Sequence, residues 1–320
     1  MNPFRRNPQV NAMISGFLFI LGNILIASLQ SVFLSHWLKG VNLYFVVATS
    51  FTIVMTLYIC LTLGFGRPHW STLLHMKRQI LLLNLVSAGN WIFYFLAIRF
   101  LNPAAVVTLT QCLPPVLITA YSLVARKAVL RSTVVFHLLI LACVIMLLTN
   151  IVEAPPGHDE DAMLGGAVSI LCAITVSMTI GVSKQFANKG LPGFVVLSTR
   201  FPLLVVLAWI MTPPAVVATA TPVMLLIIAT IAIVGLAMAN FCLQKGIELS
   251  NPMVVSTTLS ISPFVVLVFD RISNHDATVN TQALLIATIV VLSLGCIYAN
   301  YRHARLRAPV AVGSTAKNGS

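Results

Sequence analysis

The stretch IRFLNPAAVVTLTQCLPPV, residues 98–116, returns in altered form as IELSNPMVVSTTLSISPFV, residues 247–265. The two stretches share an Asn-Pro pair and a proline eleven residues later, at an offset of 149 residues. Polar and proline matches are informative here, because Val and Ile coincide easily in apolar sequence. Asn is a favoured helix N-cap and Pro is tolerated at the first helical position, so each pair predicts a tight reversal between two packed helices.

Long apolar runs surround both stretches. Of the 320 residues, 58% are apolar and only 8% are charged, whereas soluble domains carry about 25% charged residues. A soluble fold of this size could not cover its surface with so little charge, which excludes a cytosolic enzyme, a nucleic-acid module and a disordered chain. The net charge of +12 comes from short clusters between apolar runs, so we expect a lipid bilayer and no nucleic acid as partner.

The apolar runs have the length of membrane-spanning helices, which need about 20 residues each. The sequence therefore predicts an all-α integral membrane protein with ten transmembrane helices. These spans 1–10 cover about residues 11–35, 41–64, 79–99, 103–124, 132–150, 163–186, 193–211, 223–245, 252–270 and 280–300.

Basic residues between the spans predict the orientation. With the amino terminus in the cytoplasm, 15 Lys and Arg residues face the cytoplasm and three face the outside. Such an excess is typical of cytoplasmic loops. We therefore expect both termini to be cytoplasmic, and the acidic segment between spans 5 and 6 to lie outside.

This outer acidic loop, residues 153–162, divides the chain into two repeats. Residues 1–152 hold spans 1–5 and residues 163–300 hold spans 6–10, and residues 301–320 are predicted to form a basic, disordered cytoplasmic tail. Because five is odd, the second half enters the membrane in the opposite direction. Inverted repeats allow a transporter to present one site alternately to the two sides, and a duplication without such motion is the alternative.

Several motifs combine an asparagine, glycine or proline with aromatic or small residues. They are Asn90-Trp91, Tyr94-x-x-Ala97-Ile98, Asn102-Pro103, Pro114-Pro115, Asn240, Gly246-Ile247, Asn251-Pro252 and Pro263. On these motifs the chain resembles the drug/metabolite transporter (DMT) superfamily, and within it the EamA-type ten-span exporters. The resemblance implies a multi-pass protein of the bacterial inner membrane, with a central cavity formed largely by spans 1, 3, 4, 6, 8 and 9. Many relatives carry an arginine in span 2, but the repeat position of Arg200 is Phe51 in this chain.

Polar side chains within the spans are the candidate substrate contacts, because an amide facing lipid would lack hydrogen bonds. Alternatively, amides pair between helices, and aromatic rings belong to an interfacial belt. The candidates are Asn23, Gln30, Asn84, Trp91, Tyr94, Gln111, Arg200, Asn240 and Gln244. Pro114, Pro115 and Pro263 are candidate kinks or hinges, since proline removes a backbone hydrogen bond from a helix.

Arg200 is the one charged residue predicted well inside a span. A charge near the bilayer centre costs about 2.5–3.5 kcal/mol on insertion scales. At its depth in span 7, we expect the side chain to snorkel towards the cytoplasmic surface. The alternative is a counter-charge for a substrate carboxylate, or a gate contact.

The residue types favour export of a small metabolite, with an amino acid or its derivative as first choice. No acidic residue lies at the middle of a span, so cationic drugs lack a partner and proton coupling lacks its usual carboxylate, which favours facilitated transport. The alternatives are multidrug efflux or efflux of a secondary metabolite such as a metallophore, then a membrane-embedded enzyme, then a structural or receptor role. We expect no enzyme activity, no cofactor and no metal, because the cysteines are dispersed and histidines do not cluster. A monomer or homodimer is expected.

Overall fold

The structure is a computed structural model that describes residues 8–37, 41–66, 69–101, 103–152, 159–274 and 281–307. In these residues the secondary structure is helical and contains no strand. Ten helical segments are long and apolar enough to cross a membrane, which confirms the predicted number of spans. The chain is therefore a helical membrane protein.

Seven spans are single helices. They are Pro8–Trp37, Leu43–Phe65, Lys77–Phe100, Pro103–Val124, Arg131–Val152, Asp159–Asn188 and Thr281–Arg307, which form spans 1–6 and 10. Short helices, Trp70–His75 and Pro214–Ala218, precede spans 3 and 8.

The remaining three spans are interrupted, and all belong to the second half. Span 7 consists of Gly193–Ser198 and Pro202–Ile210. Span 8 consists of Pro222–Thr230, a π-helical segment Ile231–Ala237 and Met238–Leu249. Span 9 consists of Pro252–Leu259 and Ser262–Asn274. Interruptions of this kind are frequent at functional sites in membrane proteins.

Helices extend into two segments that were predicted to be a loop and a disordered tail. Span 6 begins at Asp159, inside the predicted acidic loop, because acidic residues in a first turn are favoured by the helix dipole. Span 10 continues to Arg307, so residues 301–307 are helical and not part of a disordered tail. Residues 153–158 and 308–320 lie outside the described residues.

The Asn-Pro signal for a helix start is confirmed in the second half. The side chain of Asn251 accepts a hydrogen bond from the Met253 backbone N–H at 2.8 Å, and Pro252 is the first helical residue. Such a cap satisfies one of the four free N–H groups at a helix start. Asn102, its partner in the first half, lies outside the described residues.

The candidate hinge prolines behave differently in the two halves. The helix of span 4 continues through Pro114 and Pro115, whereas span 9 is interrupted just before Pro263. Pro115 has no N–H to give to the Gln111 carbonyl four residues earlier. The Ser260 hydroxyl, on the interrupted part of span 9, donates to that oxygen at 3.1 Å instead.

Spans from opposite halves pack against each other. Span 1 contacts span 8, and span 3 contacts span 6. Likewise span 2 contacts span 7, span 4 contacts span 9, and span 5 contacts span 10. Two close approaches are at glycines: a Cβ at Gly165 would lie 2.7 Å from a Leu101 side-chain atom, and one at Gly246 would overlap Ile20. Small residues allow helices to pack closely in lipid, where apolar burial drives association weakly.

Candidate functional site

A central cavity of about 390 Å³ lies between the two halves. Its walls come from spans 1–4 of the first half and spans 6–9 of the second half. It extends from the interior to Arg99, an exposed residue in the last turn of span 3. The cavity is therefore reached from the end of the bundle where span 3 ends and span 4 begins.

Seven of the nine candidate residues line this cavity. They are Asn23, Gln30, Trp91, Tyr94, Gln111, Arg200 and Asn240. The structure therefore brings together side chains that are up to 217 positions apart in the sequence, from Asn23 to Asn240. Asn84 and Gln244 do not line it and are described separately below.

The amides of spans 1 and 8 are oriented by the backbone. The Asn23 Nδ2 group donates to the Ala239 carbonyl at 2.9 Å, and the Asn240 Nδ2 group donates to the Leu236 carbonyl at 2.8 Å. No described residue donates to either amide oxygen. These two oxygens are therefore hydrogen-bond acceptors on the cavity wall.

Aromatic rings form the facing part of the wall. The Trp91 ring packs edge-on against Phe51, with centroids 4.8 Å apart, and also contacts the rings of Tyr94 and Phe95. The Tyr94 and Ser31 hydroxyl oxygens are 3.3 Å apart and share a hydrogen bond. All five residues line the cavity, so Trp91 and Tyr94 face inwards here and do not form an interfacial belt.

Arg200 lies in the interruption of span 7, and the expectation that it snorkels to the surface is wrong. Its side chain is 3% exposed and lines the cavity. The Nε group donates to the Ser87 hydroxyl at 3.1 Å, and the guanidinium carbon lies 5.3 Å from the centroid of the Phe201 ring. Because the helix is broken at this point, the arginine turns inwards and does not extend along the helix surface.

Asn84, a residue of span 3, binds the backbone at the interruption of span 7. Its Nδ2 group donates to the Thr199 carbonyl at 2.6 Å and to the Ile80 carbonyl at 3.0 Å, and its oxygen accepts from the Leu203 N–H at 3.2 Å. The bonds to Thr199 and Leu203 satisfy backbone groups that the broken helix leaves without intrahelical partners. Asn84 therefore supports the backbone beside Arg200 and does not itself line the cavity.

Gln244 is 1% exposed and packs under the start of span 7, where a Cβ at Gly193 would lie 3.1 Å from its Cγ. Its Oε1 atom has no hydrogen-bond partner among the described residues. The amide thus faces the contact between spans 7 and 8, close to the end of the bundle where span 8 ends and span 9 begins.

Five buried polar atoms of the cavity wall have no hydrogen-bond partner among the described residues. They are Ser28 Oγ, Ser50 Oγ, Trp91 Nε1, Thr179 Oγ1 and Arg200 Nη1. Buried polar groups in proteins are almost always hydrogen-bonded, to protein, water or ligand. These five groups are therefore hydrogen-bonding capacity around the cavity that the described residues leave unused.

Sequence reasoning missed Asn90, Phe51 and Arg99 as wall residues. Of these three, Asn90 could have been found from the sequence, because an amide within a span needs hydrogen-bond partners. Its oxygen lies 3.2 Å from the Cys172 sulfur, which donates to it. The described residues contain no group of three or more His, Cys, Asp or Glu side chains that could hold a metal ion.

Comparison with known proteins supports the fold but names no function. No family model matches the chain, and no curated protein matches it. Twenty-one chains of solved structures match. One of them, described only as the crystal structure of a protein, aligns over 91% of this chain and 99% of its own length, with a TM-score of 0.62 and 17% sequence identity. The helix arrangement is therefore one that a solved protein also adopts.

Proposed function

We propose that the protein is a transporter that exports a small metabolite by alternating access through the central cavity. The observation that carries the proposal is a largely apolar cavity with several amides and the buried Arg200 on its wall, enclosed by spans of both halves within a ten-span membrane protein. The proposal includes membership of the EamA-type exporters of the DMT superfamily and a place in the bacterial inner membrane. Both rest on the sequence motifs.

The contacts between the halves support an inverted repeat. The hydrogen bond from Asn23 to the Ala239 backbone carbonyl has its counterpart, 149 residues along, in the contact of the Cys172 sulfur with the backbone carbonyl of Asn90 at 3.4 Å, where the thiol is shared with the Asn90 side-chain oxygen. Gln111 and Ser260 are partners in the repeat and also bond to each other. A two-fold relation between the halves accounts for both observations.

The two ends of the cavity differ, and this supports alternating access. At the end that holds the chain termini, Lys184 donates to the carbonyls of Ile247 and Glu248, both at 3.0 Å, and joins span 6 to span 8. The repeat partners of those two residues are Ile98 and Arg99, which line the mouth of the cavity. With the termini in the cytoplasm, the cavity is closed to the cytoplasm and open to the outside.

The wall chemistry favours an amino acid or an amino-acid derivative as substrate. Arg200 is cationic, the amide oxygens of Asn23 and Asn240 accept hydrogen bonds, and four aromatic rings supply an apolar surface. None of the wall residues is acidic, so a cationic drug would find no counter-charge. Efflux of a secondary metabolite such as a metallophore is the second candidate, because such molecules also combine carboxylates and amines.

Comparative metabolite profiling of cells and medium, with and without the protein, tests export. We expect at least one amino-acid-like compound to accumulate in the medium of expressing cells and to fall in their cytosol. Purified protein in liposomes should then move this compound without an imposed pH gradient. An unchanged profile at good expression, or hydrolysis of the compound in place of transport, would overturn the proposal, and the second result would favour a membrane enzyme.

Labelling from either side of the membrane tests the orientation. Single cysteines placed near residue 8 and near residue 307 should both react with an impermeant maleimide only in inside-out vesicles. Labelling of the two ends from opposite sides would contradict the inverted repeat, which requires an even number of spans.

A further inference from the structure

We propose that Arg200 binds the carboxylate of the substrate, and that the substrate is therefore a small carboxylate with an apolar or aromatic part. This inference rests on the proposed transport function. It deepens that function by naming the group that is recognised and the residue that recognises it.

The first argument is the hydrogen-bonding capacity of the guanidinium. It carries five N–H donors, and the one on Nε is used on Ser87. The Nη1 atom is buried and has no hydrogen-bond partner among the described residues. A carboxylate accepts two parallel bonds from a guanidinium edge, which is the strongest arrangement open to a buried arginine.

The second argument is charge. None of the residues that line the cavity around Arg200 is acidic. A buried cation without a counter-ion is costly within a membrane. An anionic substrate would compensate the charge of Arg200. The Arg200 site should therefore bind carboxylates more tightly than amines.

The third argument is the shape of the surroundings. Asn84 of span 3 bonds to the backbone of Thr199 and Leu203, on either side of Arg200. These bonds fix the backbone position of Arg200. The Trp91 and Phe51 rings line the same cavity. A molecule with a carboxylate at Arg200 would lay its apolar part on these rings and direct an amine towards the oxygens of Asn23 and Asn240.

Three compounds that share one ring test the inference: phenylalanine, 3-phenylpropionate and 2-phenylethylamine. Binding to the purified full-length protein in nanodiscs is measured by equilibrium dialysis, and each compound's uptake into proteoliposomes is measured separately. We expect both carboxylates to bind and the amine, which lacks a carboxylate, to bind at least about tenfold more weakly, the difference that charge-assisted hydrogen bonds typically make.

Variants of Arg200 locate the effect. Arg200→Gln should weaken binding of both carboxylates about tenfold to a hundredfold and leave the amine unchanged. Arg200→Lys should retain part of the affinity, because it keeps the charge but loses the two-pronged geometry. Arg131→Gln, which removes an exposed arginine at the start of span 5, is the matched control and should bind as the wild type does. The melting temperature of each variant shows that it is folded.

Two results would overturn the inference: equal affinity of wild-type protein and folded Arg200→Gln for the carboxylates, or no binding of either carboxylate by the wild type at millimolar concentration. Transport of another compound class that survives Arg200→Gln would refute the inference and leave the transporter. Carboxylate binding through Arg200, with no change in the metabolite profile and no uptake of any of the three compounds, would refute the transporter and leave Arg200 as a carboxylate-binding residue.

Discussion

Spans 2 and 7 are partners in the sequence repeat and pack against each other, yet they are built differently. Span 2 is one helix, Leu43–Phe65, with Phe51 buried at its centre. Span 7 is broken between Ser198 and Pro202, and Arg200 occupies the break. The same place in the fold therefore holds an apolar ring in one half and a cation in the other.

The neighbouring spans explain which residue each half tolerates. Arg200 has the Ser87 hydroxyl of span 3 as a partner, whereas the repeat position of Ser87 in span 8 is Leu236. Phe51 shares an apolar cluster with Leu236 and Phe201. The comparison shows that the repeat preserves helix positions while the interior of the cavity becomes one-sided, with a buried cation from the second half and aromatic rings from the first.

The largest effect is expected from placing an arginine in span 2 at the repeat position of Arg200. Phe51→Arg would bury a second guanidinium among apolar side chains, at a cost of about 2.5–3.5 kcal/mol. We expect most of the folded protein to be lost, measured as the monodisperse peak in size-exclusion chromatography of detergent extracts. Phe51→Leu, which keeps the site apolar, is the control. A normal yield of Phe51→Arg would show that the first half can also accommodate a cation.

Glycines at equivalent crossings should respond alike. A Cβ at Gly165 would lie 2.8 Å from the Cβ of Phe100, and Gly16, its repeat partner, faces Leu249 and Ser250 in the same way. We expect Gly165→Val and Gly16→Val each to lower the melting temperature, because overpacking costs about 1–3 kcal/mol. Gly181→Val is the control, since no atom lies within 4 Å of a Cβ there. A drop in one variant alone would contradict the two-fold relation.

The interruption of span 7 should depend on Asn84. Asn84→Ala removes its bonds to Thr199 and Leu203, and leaving buried backbone groups unsatisfied costs about 1–3 kcal/mol. We expect a lower melting temperature and weaker carboxylate binding through Arg200. The control is Thr288→Ala, which removes a hydroxyl that is bonded to the Leu284 carbonyl within its own helix. If Asn84→Ala melted like the control, the break would be stable without support from span 3.

The smallest effect is expected at the closed end. Lys184→Met removes the link from span 6 to the Ile247 and Glu248 carbonyls, worth about 1 kcal/mol for a partly exposed lysine. In a cysteine-free background with Ala27→Cys on the cavity wall, labelling from the cytoplasmic side should rise about fivefold relative to the outside. Lys245→Met, which removes only the pair with Glu248, is the control and should leave the ratio unchanged. If Lys184→Met and Lys245→Met gave the same ratio of cytoplasmic to outside labelling, Lys184 would not help to keep the cytoplasmic end closed.

Local signals in the sequence predicted more of the fold than of the site. The number of spans follows from apolar length, and the Asn251-Pro252 start follows from capping chemistry. The prolines were a weaker guide, because span 4 continues through Pro114 and Pro115 while span 9 breaks before Pro263. The outcome depends on the crossing of the two spans, where Ser260 satisfies the carbonyl that Pro115 leaves free.

The sequence alone determined that the chain is a ten-span helical membrane protein with amides inside its spans, because hydrophobic length and polar residue type are local properties. Only the tertiary structure decided which of these polar groups meet. It turned Arg200 into the cavity where its depth had suggested the surface, and it assigned Asn84 to the backbone of span 7. Those outcomes depend on partners more than 100 residues away, Ser87 for Arg200 and Thr199 for Asn84, which helical spacing within one span cannot reveal.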